Sequence, residues 1–311
     1  MADLPDNAVT LRAAADILGV SYLKNGEVAH NPDRSDVTDL DALPDATDVY
    51  KRDLDVHRYN VPFLLHPYVA FYTTRGCPAQ CTFCLWPQLL SGHPWRKRST
   101  DRVAREMAKV KEYWPDLKEV FFDDDTFNIQ KARTIELCSK LKQLKMTWSC
   151  TSRVTTDYET LRAQKESGCR LLIVGYESGN QQILKNIKKG ATVERARDFT
   201  RDTKKLGLLV HGDFIIGLPG ETRETIEQTI NFAKELDVET IQVSLAHAYP
   251  GTELYDFAKQ NGFIVNEQGM VDEGGHQLAQ IEYPGLPREE ALDAVHRFYD
   301  EYYFRPKRSF A

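Results

Sequence analysis

Tyr68-Val-Ala-Phe-Tyr-Thr-Thr-Arg-Gly-Cys77-Pro-Ala-Gln-Cys81-Thr-Phe-Cys84-Leu-Trp-Pro87 is the stretch on which the fold turns. An apolar, β-rich run from Tyr68 to Thr74 breaks at Gly76 into a loop that carries three cysteines. Three thiolates can hold three corners of a four-iron cluster, whereas filling every corner normally takes a fourth cysteine. The spacing therefore leaves one iron open to another ligand. Clustered cysteines also bind structural zinc, but zinc takes four ligands, and the nearest fourth here is His93.

Downstream, β-rich runs alternate with helix-period segments. The predicted strands are Tyr68 to Thr74, Glu119 to Asp123, Met146 to Cys150, Arg170 to Gly175, Leu208 to Gly217 and Glu239 to Leu245. Between them, Val103, Met107, Val110 and Trp114 form one helical stripe, as do Ile135, Cys138 and Leu141, and Ile226, Ile230, Ala233 and Leu236. Gly168 and Gly207 sit where helices should stop. Six strand-then-helix units imply a parallel sheet with right-handed crossovers, and they fall short of the eight of a closed barrel. The predicted class is α/β, an open (β/α)6 partial TIM barrel over residues 68–283. Residues 1–67 read as a linker or cap, with a helix-like segment around Leu11 to Leu18, a hairpin turning at Asn25-Gly26 and an acidic, loop-like stretch from Asp36 to Asp55. Residues 284–311 read as a last helix, with Ala291, Val295, Phe298 and Tyr302 on one face, and a basic tail.

The 311 residues are 41% hydrophobic and 28% charged, the profile of a soluble globular chain. No apolar run approaches the ~18 residues of a membrane span, and no signal-peptide core opens the sequence, so the expected compartment is the cytoplasm. A formal charge of -6 argues against a nucleic-acid partner. The short basic runs Arg96-Lys-Arg98, Lys188-Lys189 and Arg305-Pro-Lys-Arg308 read as solvated surface. Cys138, Cys150 and Cys169 stand singly and read as small buried hydrophobes, not as a second cluster loop or a disulfide framework.

The C-x-x-x-C-x-x-C loop, with Phe83 just before its third cysteine, resembles the cluster-binding signature of radical S-adenosylmethionine (SAM) enzymes. The resemblance implies a [4Fe-4S] cluster held by Cys77, Cys81 and Cys84. It also implies SAM chelating the open iron, and reductive cleavage of SAM to a 5'-deoxyadenosyl radical. The protein's share is positioning. Active sites of α/β barrels lie at the C-terminal ends of the strands. There, Asp123-Asp-Asp125 could be a helix cap, but the resemblance makes Asp124 and Asp125 acceptors for the SAM ammonium. Arg153 can pair with the SAM carboxylate through its guanidinium fork; the bland alternative is an exposed ion pair. Glu177, in Gly175-Tyr-Glu-Ser-Gly179, resembles the family's ribose ligand. Ile215 and Gly217, in Gly212-Asp-Phe-Ile-Ile-Gly-Leu-Pro-Gly-Glu221, resemble the adenine-binding segment, and Pro250 opens a Pro-Gly-Thr turn that recurs in the family and completes the cofactor contacts. His247 reads as a packed or exposed side chain rather than a proton carrier.

More narrowly, Cys77 to Gln88 with Gly92-His93 and Trp95-Arg-Lys-Arg98 resembles the hopanoid-biosynthesis members of the cobalamin-associated branch. That implies rearrangement of a hopanoid's sugar head group to a cyclitol ether, with flavodoxin or ferredoxin as electron donor. A cobalamin-dependent methyltransferase of the same branch is the alternative, and a structural-metal or electron-transfer protein is the non-enzymatic one. The branch carries cobalamin on a preceding domain, and the residues before Tyr68 read as the linker after it. Asp55-Val-His-Arg-Tyr-Asn60 is only superficially similar to a cobalamin motif. A lipid substrate would bring the chain to the inner face of the membrane, with Tyr302-Tyr-Phe-Arg-Pro-Lys-Arg308 as the peripheral contact.

Overall fold

The structure, a computed structural model, describes residues 14–306 apart from 267, 268, 270 and 276. The chain divides into two compact units, one ending at Leu40 and one beginning at Asp41. In the first, β1 (Ser21–Lys24) and β2 (Glu27–His30) form an antiparallel hairpin. Asn25 and Gly26 connect them at φ of 53° and 83°, the positive pair that a two-residue turn of this hand requires. Of the predicted Leu11 to Leu18 helix, residues 11–13 lie outside the described residues, and the helix ends at residue 15, ahead of a turn.

The second unit opens with α1 (Ala46–Asp53), where the sequence suggested loop. Its signal is electrostatic rather than hydrophobic. Asp45 accepts from Arg102 Nε and Lys109 Nζ at 2.9 Å each, and Thr47 donates its backbone N–H and hydroxyl to the buried Glu106. Arg98 joins this network by pairing with Glu106 and Asp45, so the Arg96-Lys-Arg98 run is not simply solvated surface.

There follow β3 (Tyr68–Phe71), the short ribbon β4 (Thr74–Arg75) and β5 (Arg96–Lys97), α2 (Thr100–Tyr113), β6 (Glu119–Phe122), α3 (Lys131–Leu144), β7 (Trp148–Ser152) and α4 (Tyr158–Glu166). Then come β8 (Cys169–Glu177), α5 (Gln181–Asn186), α6 (Val193–Leu206), β9 (Leu209–Ile216), α7 (Arg223–Leu236), β10 (Thr240–Leu245), α8 (Glu253–Gln260) and α9 (Arg288–Tyr303). Six strands pair in the order β10-β9-β8-β7-β6-β3, every pair parallel. Sequential strands are neighbours, and the two edge strands β10 and β3 do not pair, so the sheet is the open α/β partial barrel expected from the sequence.

The period of two sends Val69, Phe71, Val120, Phe122, Trp148, Cys150, Leu172 and Val174 outward into the helix layer, where all are buried. The stripe on α2 and those on α7 and α9 are buried as predicted. On α3 the buried face is Leu137, Cys138 and Leu141 beside Arg133, while Ile135 is only half-buried. A hydrophobicity reading skips Arg133 because its burial rests on hydrogen bonds, to the carbonyls of Thr73 and Arg98. At the N-terminal end of the strands, the Phe63 ring stacks on His211 at 4.3 Å, and Arg170 bridges Glu119 and the Phe63 carbonyl. The inner face is thereby closed at one end, leaving the C-terminal end for a site.

Gly168 ends the α4 segment at φ 102°, and a Cβ there would lie 2.2 Å from the Met146 carbonyl oxygen. Gly168→Ala is expected to cost roughly 2–3 kcal/mol and to lower Tm by roughly 5–10 °C. A thermal melt superimposable on the wild type would contradict this packing.

The described part of the aromatic-basic end is mixed, with Phe304 exposed at the end of α9. Tyr302 is buried, and Arg305 stacks on its ring and pairs with Asp237. Lys307 and Arg308 lie outside the described residues. Among the described residues, no helix is long and apolar enough to cross a membrane.

Candidate active site

The cysteine loop leaves the β4–β5 ribbon at Gly76, whose φ is 88° and where a Cβ would fall 2.2 Å from the Pro94 carbonyl oxygen. Only glycine lets the two backbones cross so closely. The loop is held on several sides. Cys77 N–H donates to Gly92 O at 3.2 Å, Thr82 N–H to Ile187 O at 3.1 Å, and Leu254 N–H reaches Thr82 O at 3.0 Å. Cys77 and Cys81 are buried, Cys84 is half-buried, and all three thiols are free. Burial pushes the Cys84 thiol up to about 12, and Cys81, Cys77 and Glu177 add to the push. A bound cation reverses this by stabilising the thiolate.

Among the described residues, no three His, Cys, Asp or Glu side chains group to hold a single metal ion. His93, the fourth ligand a zinc site would need, instead lies 3.1 Å through Nδ1 from the Cys77 carbonyl. Three free thiols on one loop fit the separate corners of a cluster better than one mononuclear centre.

The acidic run after β6 splits by role. Asp124 is 1% exposed and both its carboxylate oxygens are engaged: Thr73 donates N–H and hydroxyl at 2.5 and 2.6 Å, and Thr74 N–H at 3.1 Å. Burial raises its pKa against these bonds. Asp125 is half-buried and accepts the Gly76 N–H at 2.8 Å, which ties it directly to the cysteine loop. Asp123 accepts from Tyr72 Oη at 3.2 Å, with Arg75 stacked on the Tyr72 ring; burial raises this carboxyl too.

Arg153, beyond β7, donates to the Lys189 carbonyl at 2.5 Å. It lines a cleft of about 430 Å³ together with Cys77, Thr126, Asn128 and Gly190. Glu177 ends β8 at φ 65°, after a bulge at Gly175, and its carboxylate meets Lys189 Nζ at 2.5 Å. A Cβ on Gly175 would lie 2.3 Å from Glu177 Oε1 and 2.9 Å from Lys189 Nζ, so the glycine makes room for the pair. Burial alone would depress Lys189, but Glu177, with help from Cys81, prevails and raises it.

Ile215 is half-buried, and Gly217 turns at φ 88° with its N–H donated to Glu221. Glu221 also accepts from Leu218 N–H at 3.2 Å, and burial pushes its carboxyl up to about 7. Pro250 is exposed, and the next residue, Gly251, packs so tightly on Leu89 that a Cβ would come within 2.5 Å of it. His247 tilts against the Tyr249 ring at 4.8 Å, and burial lowers its pKa. His57, in the cobalamin-like stretch, pairs with Asp55 and Asp116 at an exposed turn.

Two residues escaped the sequence reading. Lys189 looked like surface because it follows Lys188, yet Lys188 pairs outward with Glu253 whereas Lys189 is buried. Asp213 interrupts the apolar run of β9, a break in the pattern that marks it in the sequence. Burial pushes its carboxyl up to about 8, Glu177 adds to the push, and Lys189 opposes it. The unfolded chain loses this proton near pH 4, so stability should fall with pH from there to about 8 and then level off. Asp213→Asn should remove that slope, as urea unfolding at about pH 5 and about pH 8.5 would show. An unchanged slope would contradict the raised carboxyl.

A partial barrel with three free cysteines at its strand ends defines a class of iron–sulfur barrel proteins. Residues 71–233, just over half of the chain, match the Radical SAM superfamily, and the chain belongs to it. Membership implies a [4Fe-4S] cluster and SAM as cofactors, and the loop and cleft fit both. An uncharacterized methyltransferase of Pyrococcus horikoshii is 35% identical over 95% of this chain and 63% of its own length. A cytidylyl-2-hydroxyethylphosphonate methyltransferase of Streptomyces wedmorensis is 28% identical over 82% and 50%. A hopanoid C-2 methylase of Rhodopseudomonas palustris is 26% identical over 64% and 40%. The chain thus spans less than two thirds of the length of these relatives. Among solved structures, the cobalamin-dependent SAM radical enzyme OxsB shares the fold at a TM-score of 0.68 and 17% identity, over 92% of this chain and 48% of that one.

Proposed function

We propose that this chain is the radical-generating core of a cobalamin-dependent SAM methyltransferase. The observation that carries the catalytic reading is that Cys77 and Arg153, from different strand ends, line one cleft. The methyl-transfer reading is supported by the Pyrococcus relative, similar along nearly the whole chain. The hopanoid head-group rearrangement gains no comparable support, since the hopanoid-acting relative is a methylase and more distant.

When bound, the cluster and SAM supply an electron and a sulfonium for reductive cleavage. The chain's own residues position them. Cys77, Cys81 and Cys84 would hold three irons, and Asp125 fixes the loop through Gly76 while offering a carboxylate to the SAM ammonium. Asp124 acts instead as an internal brace, because Thr73 and Thr74 already occupy both of its oxygens. Arg153 would pair with the SAM carboxylate. Glu177 would meet the ribose hydroxyls by sharing or exchanging its bond to Lys189, and Ile215, Gly217 and Pro250 would flank the adenine. Flavodoxin or ferredoxin would deliver the electron.

Anaerobic incubation with SAM and reductant, with and without cobalamin, tests the proposal. S-adenosylhomocysteine that depends on added cobalamin is expected. If only 5'-deoxyadenosine forms, and a glycosylated hopanoid is rearranged, the ring-rearrangement reading replaces it.

A further inference from the structure

Gln88 lies in the π-turn Trp86–Leu90 that follows the third cysteine. Its amide nitrogen donates to the carbonyls of Cys81 at 3.1 Å, Thr82 at 3.2 Å and Cys84 at 2.9 Å. Its amide oxygen accepts the N–H of Glu253 at 2.9 Å, at the start of α8. The network fixes the amide's orientation, because three carbonyls require donors on one side and a backbone N–H requires an acceptor on the other. Two N–H groups serve three acceptors, so one bond is shared.

We infer that Gln88 is a positioning residue for the cluster-binding loop, one that sets the loop's curvature between Cys81 and Cys84 and fastens it to the β10–α8 turn. The inference rests on the radical SAM reading above. A loop rich in small residues has many conformations, and a ligand set is useful only if that freedom is removed before the cofactor arrives. Gln88 removes it by gathering the carbonyls of Cys81, Thr82 and Cys84 onto one group. The attachment to α8 is reinforced by the Leu254 N–H to Thr82 O bond and by Leu89 packed against Gly251. Cysteine loop and β10–α8 turn therefore move as one body, and a disturbance at the turn is transmitted to the cluster.

Gln88→Glu keeps the shape and the acceptor for Glu253 N–H, but sets a carboxylate against three carbonyl oxygens. Gln88→Met keeps the approximate volume and removes both kinds of bond without adding charge. The full chain, reconstituted anaerobically with iron and sulfide, is measured for iron release to a chelator and for the cluster's EPR spectrum and midpoint potential. Gln88→Met is expected to release iron roughly tenfold faster, the size of one or two net hydrogen bonds, with Gln88→Glu faster still. Both should show a shifted potential with unchanged far-UV circular dichroism. Variants with wild-type iron retention, spectrum and potential would overturn the inference alone. A wild type that binds no four-iron cluster would overturn the radical SAM reading and this inference together.

Discussion

Alanine in place of Cys81 is expected to leave a folded protein that retains no four-iron cluster and forms 5'-deoxyadenosine only at background level. Cys77 and Cys84 should behave alike, because losing any one of three corners leaves too few ligands for the cluster. The control is Cys138→Ala. This thiol is equally buried but packs between helix and sheet, so its loss should cost about 1 kcal/mol of stability and no iron. Iron content and visible absorbance of the reconstituted proteins measure the contrast. Full iron in Cys81→Ala would remove the loop from the cluster site.

Lys189→Met is expected to have the largest effect on stability. Lys189 and Glu177 are 9% and 7% exposed and meet at 2.5 Å. Removing one partner leaves an uncompensated buried charge, which costs about 3–5 kcal/mol and lowers Tm by roughly 10 °C. The double variant Lys189→Met with Glu177→Gln should recover most of that loss, since no charge remains buried. The same pair has a pH signature. Its folded-state lysine pKa is raised, so the pair's stabilisation is complete below the ordinary lysine value and disappears as pH climbs through the raised one. The double variant should lack that alkaline loss. A single variant as stable as the wild type would show that the pair is not buried as described.

The fold was legible because its signals are local and repetitive. Each barrel strand announced itself as a β-rich run, three of them with a helical stripe behind, and the cysteine loop identified the first strand's end. What escaped depends on partners distant in sequence. The α1 helix is anchored by Asp45 to Arg102 and Lys109 on α2, which its weak apolar pattern does not disclose. Arg133 is held in the core by two carbonyls that no apolar stripe announces, and Lys189, read as surface from its charge, is buried by a glutamate twelve positions earlier in the chain. Within Asp123-Asp-Asp125, residue type could not separate the brace from the ligand candidate, because the three differ only in which backbone N–H groups and hydroxyls approach them. Gln88 carries no compositional signal at all; its role exists only where the chain folds back on its own carbonyls.

The most direct test of the central claim is the EPR spectrum of the anaerobically reconstituted, dithionite-reduced protein before and after SAM is added. A reduced [4Fe-4S] signal that changes on addition of SAM is predicted, because SAM would occupy the iron that Cys77, Cys81 and Cys84 leave open. A four-iron signal indifferent to SAM, or one zinc per chain in place of iron, would contradict it.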